Sequence, residues 1–207
     1  MASAKTAIAR ETVVLASSSA IRARILAAAG VAFEVIAPRV DESEIKTSLR
    51  AEGADAAAIA DVLAEHKART VSRRCPGRLV IGADQVLAFD DGQMDKPATR
   101  AEAAAQLRRL RGRRHELVTC VCILRDGERL WHHLARVGLW VRDFSDAWLE
   151  DYLDAIGPAA LWGPGAYQIE GVGAQLFARV DGDTFSVQGL PLLPLLDFLR
   201  VRGALAS

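Results

Sequence analysis

Short apolar runs alternate with amphipathic segments along the first part of the chain. A β-branched apolar run over residues 12–17 predicts a buried strand, and the helical pattern over 20–29 that follows it ends at Gly30. A second short strand is predicted over 33–37, before the acidic segment Asp41-Glu42-Ser43-Glu44. The fold is therefore expected to begin with the order strand, helix, strand.

A long helix is predicted to begin after Asp55, whose side chain is suited to cap it. The apolar stripe of this helix is predicted to consist of Ile59, Val62, Leu63, His66 and Thr70. Lys67 lies at the border of that stripe. We therefore expect a lysine beside the buried face of the helix.

The second half of the chain predicts two hairpins and three further helices. A strand over 79–89 ends at Asp90-Asp91-Gly92, and a capping box over 99–102 opens a helix that runs to Leu110. The remaining elements are strands over 116–124 and 130–141 joined at Asp126-Gly127, a helix capped by Ser145, a loop over 157–173 rich in Gly and Pro, and a helix over 190–201. This mixture predicts an α/β (mixed α+β) fold, with helices around one mixed sheet in a single domain over 1–207.

The composition is that of a globular protein whose charges balance. Of the 207 residues, 51% are hydrophobic, and 26 Lys and Arg residues match 26 Asp and Glu residues. The zero net charge, without a basic stripe with interleaved aromatic residues, disfavours nucleic-acid binding. Any affinity for phosphate must come from local clusters.

The cysteines and the apolar runs indicate the compartment. Cys75, Cys120 and Cys122 are odd in number and lack zinc-ligand spacing, so we expect buried thiols in a reducing compartment. The apolar run over 13–16 is far too short for a signal peptide or a transmembrane helix. A cytoplasmic protein that does not associate with membranes is the expectation.

A serine-rich turn between the first strand and the first helix has the composition of a phosphate site. Backbone N–H groups at a helix N-terminus attract an anion, and the hydroxyls of Ser17 and Ser19 add donors. Arg22 is placed to form a bidentate pair with phosphate oxygens. The alternative is that the serines only cap the helix and that Arg22 is solvated.

A carboxylate interrupts the apolar strand at Gly82-Ala83-Asp84-Gln85. A charged Asp is costly to bury unless it is paired or binds a metal, which makes Asp84 a candidate site residue. Satisfaction by backbone donors is the alternative. Three further charged residues would complete a set that suits a triphosphate and a divalent cation: Glu42, Lys67 and Lys96.

Two glycine-rich segments, over 163–173 and 182–192, follow later in the chain. The glycines of the first segment permit close approach of the backbone to a ligand, and Tyr167 or Phe185 is a candidate to pack on a base. An ordinary surface turn is the alternative.

These motifs, taken in order, resemble the Maf nucleotide pyrophosphatases. The resemblance rests on the serine–arginine turn, Val40-Asp41-Glu42, Lys67-Ala68, Gly82-Ala83-Asp84-Gln85, Lys96-Pro97, residues 112–115, residues 165–173 and Gly189-Leu190-Pro191-Leu192. It extends from about Val14 to the final helix. It implies a curved mixed sheet flanked by helices, two lobes around a nucleotide cleft, and frequent homodimers.

The resemblance also implies an activity and residue roles. The implied reaction is hydrolysis of a nucleoside triphosphate to the monophosphate and pyrophosphate with Mg²⁺ or Mn²⁺, which limits incorporation of non-canonical nucleotides. Asp84 matches the catalytic aspartate, as general base or as metal ligand, and Glu42, Lys67 and Lys96 match residues that handle metal and phosphate. A regulator of cell division that binds nucleotides without turnover is the alternative, and the presence of all four residues argues against it.

Base preference is implied at two further positions. Gln85 and Glu170 resemble the pair found in the family's 7-methyl-GTP subgroup, whereas the subgroup acting on dTTP and UTP carries threonine and glutamine. A carboxylate at Glu170 is able to accept two hydrogen bonds from the edge of guanine. Ile21 departs from the aromatic residue of the 7-methyl-GTP subgroup, so a preference for dTTP or UTP stays as the alternative.

Overall fold

The computed structural model describes residues 8–90 and 92–206. Its strands are β1 (Val13–Ala16), β2 (Phe33–Val35), β3 (Val80–Phe89), β4 (Gly92–Met94), β5 (Arg114–Arg125), β6 (Glu128–Val141) and β7 (Phe177–Asp181). Its α-helices are α1 (Ala20–Ala28), α2 (Glu42–Ala51), α3 (Ala56–Ser72), α4 (Arg100–Leu110), α5 (Asp146–Ile156), α6 (Thr184–Val187) and α7 (Leu192–Val201). Of two 3₁₀ helices, Gly157–Leu161 lies in the segment predicted as a loop, and Val172–Leu176 begins at the end of that segment.

The strands of the described residues form one mixed sheet. Its order is β2-β1-β3-β5-β6-β7, with β4 paired to β3. Strand β1 runs parallel to both β2 and β3, whereas the β3–β4 and β6–β7 pairs are antiparallel. The predicted mixed sheet with surrounding helices is therefore confirmed. The turn predicted between β3 and β4 includes Asp91, which lies outside the described residues.

The chain divides into two compact units. The first contains Met1–Gln85, Thr119–Ala135 and Gly189–Ser207, and fully buried Leu15, Leu63 and Ile81 lie in its core. The second contains Val86–Val118 and Arg136–Gln188. Its hydrophobic core is built around residues such as Leu87, Leu107, Leu139 and Leu153. The single domain over 1–207 stays a prediction.

Helix α3 buries a different face from the one predicted. Asp55 caps the helix as expected, because its side chain accepts a hydrogen bond from the N–H of Ala58. The buried residues are Ala56, Ile59, Ala60, Leu63, Ala64, Lys67, Ala68, Val71 and Ser72. The prediction was therefore wrong for Val62, His66 and Thr70, which are not buried, and Lys67 belongs to the buried face.

Gly82 in β3 explains why this face is rich in alanine. A Cβ atom at Gly82 would lie 2.2 Å from the carbonyl oxygen of Ala64 and 2.7 Å from the Cβ of Ala68. Only glycine therefore permits α3 to approach β3 this closely. The close contact brings Lys67 of α3 beside Asp84 of β3.

Three elements were absent from the sequence-based prediction. Helix α2 occupies the acidic segment, strand β7 pairs with β6, and the short helix α6 follows Asp183. Asp41 caps α2 by accepting hydrogen bonds from the N–H groups of Ser43 and Glu44. Helix α2 therefore fixes the position of Glu42 at its first turn.

The described helices are all too short or too polar to cross a membrane. Cys75, Cys120 and Cys122 are free and buried, which confirms that part of the prediction.

Candidate active site

Asp84, Lys67 and Glu42 form a charged cluster in the first unit. The Nζ atom of Lys67 lies 2.5 Å from Oδ1 of Asp84 and 2.9 Å from Oε1 of Glu42. Asp84 is 4% exposed and Lys67 is 6% exposed, whereas the Glu42 side chain is 44% exposed. The cluster thus runs from a buried ion pair to a carboxylate that reaches solvent.

The second carboxylate oxygen of Asp84 is buried without a hydrogen-bond partner among the described residues. Such an oxygen is costly to bury, because a carboxylate that has left water needs a donor or a cation. Hard carboxylate oxygens are the ligands that Mg²⁺ and Mn²⁺ prefer. The unpartnered oxygen of Asp84, with the carboxylate of Glu42 on the same lysine, therefore fits the divalent cation expected from the sequence.

Arg22 is held by three acceptors within the first unit. Its Nε donates to the carbonyl of Gly189 over 2.7 Å, and its Nη1 donates to the carbonyl of Ala83 over 2.8 Å and to Oγ of Ser17 over 3.3 Å. This geometry contradicts the solvated arginine, whereas the predicted contact of Arg22 with phosphate stays a prediction. The buried guanidinium offers its positive charge and links α1, β3 and residue 189.

The environment of Arg22 affects its pKa in two directions. Burial lowers the pKa of the guanidinium from its ordinary value, while the charges of Asp84 and Glu42 raise it. An arginine remains protonated under these conditions. Arg22 is therefore a fixed positive charge close to the carboxylates of the cluster.

Ser17 and Ser19 have local partners. The hydroxyl of Ser17 accepts from the N–H of Ser19 over 3.2 Å, and Oγ of Ser19 accepts from the N–H of Arg22 over 3.4 Å. Ser19 is the N-cap of α1, as the capping alternative predicted, and Ser17 is buried. Their predicted contact with phosphate stays a prediction.

Gly189 connects the Gly189-Leu190-Pro191-Leu192 motif to the serine–arginine turn near the start of the chain. Its φ of +89° belongs to the left-handed region, and a Cβ there would lie 3.4 Å from Nη2 of Arg22. Glycine at this position therefore lets the carbonyl face the guanidinium. The sequence contained the Gly189-Leu190-Pro191-Leu192 motif but no sign that it contacts Arg22.

Gln85, a predicted specificity residue, is positioned by a residue that sequence reasoning missed. Its Nε2 donates to Oγ1 of Thr119 over 2.8 Å, and Thr119 is completely buried. Ile21, another predicted specificity residue, is partly exposed in the first turn of α1. The first unit thus brings together Ser17, Arg22, Glu42, Lys67 and Asp84, and Gln85 follows Asp84 in the same strand.

Lys96 and Glu170 belong to the second unit, where both are exposed. Their predicted roles in phosphate handling and base selection stay predictions. Tyr167, by contrast, is 6% exposed, and its hydroxyl lies 2.7 Å from Nε2 of His115. This ring is part of the core, so the suggestion that it packs on a base was wrong.

His115 is a buried neutral histidine in the second unit. Burial, and to a lesser extent the charge of Arg114, lowers the pKa of His115 from 6.5 to about 4. Its ring packs against Tyr167 and Phe177. These contacts hold the beginning of β5 against the segment that precedes Glu170.

The mixed fold and the buried cluster define the class of protein: an α/β protein with a charged site suited to a phosphorylated ligand and a divalent cation. Residues 12–202 match the family model described as Maf-like protein. The chain therefore belongs to the Maf family.

Close relatives carry one name. A protein of Rhodospirillum rubrum named nucleoside triphosphate pyrophosphatase is 58% identical over 195 residues, which are 94% of this chain and 96% of that protein. Proteins with the same name from Paramagnetospirillum magneticum and Sphingopyxis alaskensis are 51% and 49% identical, and cover 92% and 93% of this chain and 98% of each relative.

Proposed function

We propose that this enzyme is a nucleoside triphosphate pyrophosphatase that hydrolyses its substrate to a nucleoside monophosphate and pyrophosphate. The observation that carries the proposal is the buried Asp84 carboxylate, with one oxygen on Lys67 and the other without a protein partner among the described residues. The names of the close relatives support the same activity. Water attacks the α-phosphorus, the bond to the β-phosphate oxygen breaks, and pyrophosphate leaves.

Asp84 and Glu42 would hold a Mg²⁺ or Mn²⁺ ion. When bound, such an ion neutralises phosphate charge and lowers the pKa of a coordinated water. The unpartnered oxygen of Asp84 is suited either to that ion or to the proton of the attacking water. Oδ1 is held by Lys67, which fixes the orientation of the carboxylate for both roles.

Lys67 and Arg22 provide positive charge in the first unit. We propose Lys96 as the third positively charged residue that acts on the phosphates. Charge accumulates on the leaving pyrophosphate as the bond breaks, and fixed cations in a site of low polarity stabilise it. Arg22 is suited to this role because its three protein acceptors hold it in one position. Ser17 and Ser19 complete the proposed phosphate-binding turn.

From Gln85 and Glu170 we propose that the substrate carries a guanine-type base, such as 7-methylguanine. The exposed carboxylate of Glu170 would accept from the N1–H and N2 amino group, whereas the two carbonyls of uracil would repel it. The bond from Gln85 to Thr119 supports a fixed amide at the other position. Preference for dTTP or UTP is the alternative.

The compartment and the oligomeric state are proposals as well. Free buried thiols support a reducing, cytoplasmic environment. The homodimer is proposed from the family resemblance alone. Light scattering of the purified chain tests the dimer directly.

A panel of triphosphates assayed for pyrophosphate release tests the proposed function. The panel contains GTP, 7-methyl-GTP, UTP and dTTP, each with Mg²⁺, Mn²⁺ or a chelator. We expect release only with a metal and the highest kcat/KM for 7-methyl-GTP. Binding without release from any member would instead support the nucleotide-binding regulator.

Glu170→Gln provides the matched test of base selection. The substitution keeps the size of the side chain and removes its charge, so it should lower kcat/KM for 7-methyl-GTP more than for UTP. A higher kcat/KM of the wild type for UTP, or an unchanged ratio in the variant, would show that Glu170 does not select the base.

A further inference from the structure

Three side chains with different donor atoms converge in the first unit, away from the cluster of Asp84. They are Asp61 of α3, Cys120 of β5 and His132 of β6. One ligand atom from each, a carboxylate oxygen, Sγ and a ring nitrogen, all lie within 4.8 Å of one another. No step of the proposed reaction uses any of these residues.

The two distances from Asp61 to its neighbours are close to those between ligands of a tetrahedral ion. Oδ1 of Asp61 lies 3.4 Å from Sγ of Cys120 and 3.1 Å from Nδ1 of His132. Bonds of about 2.0–2.3 Å from zinc to O, N and S place neighbouring ligands of a tetrahedron about 3.3–3.6 Å apart. The carboxylate thus needs to move by only a few tenths of an ångström relative to each neighbour. Sγ of Cys120 and Nδ1 of His132, which lie within 4.8 Å of one another, must approach to about 3.5 Å.

We propose that Asp61, Cys120 and His132 form a binding site for Zn²⁺ or a similar transition-metal ion. Thiolate and imidazole ligands suit Zn²⁺, whereas Mg²⁺ prefers oxygen ligands, so the two sites of the first unit select different metals. The His132 side chain is 52% exposed, which gives the ion a path from solvent and leaves room for water as fourth ligand. A bound ion would link α3 to β5 and β6.

Arg129 is the competitor of the metal at this site. Its Nη1 lies 3.0 Å from both carboxylate oxygens of Asp61 and 2.9 Å from Oε2 of Glu65. The side chains of Arg129 and Asp61 are about one third exposed, so solvent partly screens their ion pair. The ion replaces the guanidinium at Asp61, which Glu65 retains nearby, and the proton that the Cys120 thiol donates to Asp61 is released to water.

Titration of the purified, reduced full-length protein with Co²⁺ tests the proposal. A thiolate bound to Co²⁺ gives a near-ultraviolet charge-transfer band, which carboxylate sites such as that of Asp84 and Glu42 do not produce. With excess Mg²⁺ present to occupy the carboxylate site of Asp84 and Glu42, we expect the band to saturate at about one equivalent of Co²⁺ and to disappear when Zn²⁺ is added. Absence of the band in the wild type would overturn the proposal.

The variants identify the ligands. Cys120→Ser should abolish the band and His132→Ala should weaken Co²⁺ binding at least about tenfold, since even outer partners of metal ligands contribute that much. The matched controls Cys122→Ser and His133→Ala should keep the band, and Arg129→Gln should tighten binding. His132 is exposed, so its variant keeps the fold even if Cys120→Ser does not.

The result is independent of the proposed function. Asp84→Asn should lose pyrophosphate release and keep the cobalt band, whereas His132→Ala should keep pyrophosphate release and bind Co²⁺ at least about tenfold more weakly. A band that persists in both Cys120→Ser and His132→Ala, or one that is lost in Cys122→Ser, would overturn the assignment of the ligands.

Discussion

The Nζ atom of Lys67 lies 2.5 Å from Oδ1 of Asp84, and both side chains are buried. Removing one member of a buried ion pair leaves the other charge without compensation, at a cost of about 3 kcal/mol or more. The pair therefore links the stability of the first unit to the chemistry proposed for it.

Lys67→Ala should lower both kcat/KM and the melting temperature, because Asp84 would lose its closest cation. Adding Asp84→Asn to this variant should restore part of the lost stability, since the buried charge is then gone. Thermal unfolding of the two single variants and the double variant measures the coupling.

Lys96→Ala is the matched control for stability. Lys96 is exposed, and exposed substitutions usually change the free energy of unfolding by less than about 0.5 kcal/mol. It should lower kcat/KM without changing the melting temperature. Equal destabilisation by both lysine substitutions would contradict the distinction between a buried and an exposed cation.

Gly82→Ala should destabilise the protein and reduce its activity. The added Cβ would meet the carbonyl oxygen of Ala64 at 2.2 Å, so α3 must move away from β3 and take Lys67 with it. Overpacking of this kind typically costs about 1–3 kcal/mol. Gly92→Ala, where the nearest atom is 3.9 Å from the added Cβ, is the control. Similar melting temperatures for the two variants would argue against the close helix–strand contact.

Thr119→Val should reduce selectivity among bases while leaving the catalytic cluster intact. The valine keeps the shape of Thr119 but removes the hydroxyl that accepts from Nε2 of Gln85. Thr119→Ser, which keeps that hydroxyl, should retain the wild-type ratio of kcat/KM between 7-methyl-GTP and UTP. If Thr119→Val and Thr119→Ser gave the same ratio, the hydrogen bond would have no part in selectivity.

Stability should fall as the pH is lowered through the range set by His115. Its pKa is about 4 in the folded protein against an ordinary 6.5, so the unfolded chain binds the proton more readily. The stabilisation is complete above about pH 6.5 and is lost as the pH falls toward 4, at no more than about 1.4 kcal/mol per pH unit. Unfolding of wild type and His115→Gln over this range measures the effect.

The exposed His66 supplies the control for that experiment. His66→Gln should keep the wild-type dependence on pH, and His115→Gln should flatten it. An unchanged slope in His115→Gln would mean that other groups cause the loss of stability in acid.

The sequence predicted most of the elements but not the face that α3 buries. Periodicity favoured Val62, His66 and Thr70, whereas the structure buries the small residues Ala64 and Ala68 together with Lys67. The reason lies in another element, because Gly82 of β3 permits a close approach that no helical pattern records. Helix α2 was missed although Asp41 and Glu44 have capping-box spacing. The segment was interpreted only as acidic, because its charged residues obscure the helical periodicity.

The sequence predicted which residues form the candidate site, but only some of the contacts between them. The sequence indicated that a buried Asp84 needs a partner or a metal, but not that Lys67 would pair with it. The acceptors of Arg22 at Gly189 and Ala83 are main-chain carbonyls, which a sequence cannot indicate. Spacing likewise gave no sign of the trio of Asp61, Cys120 and His132, because its members come from three elements.

Pyrophosphate release by Asp84→Asn, compared with the wild type, tests the central claim most directly. The substitution keeps the size of the side chain and removes the charge, and loss of a catalytic carboxylate typically costs about 10²-fold or more in rate. Asp197→Asn, at an exposed position of α7, should retain wild-type kcat. We predict a folded Asp84→Asn protein whose kcat is at least about 10²-fold lower. A folded variant that releases pyrophosphate at a near wild-type rate would contradict the account.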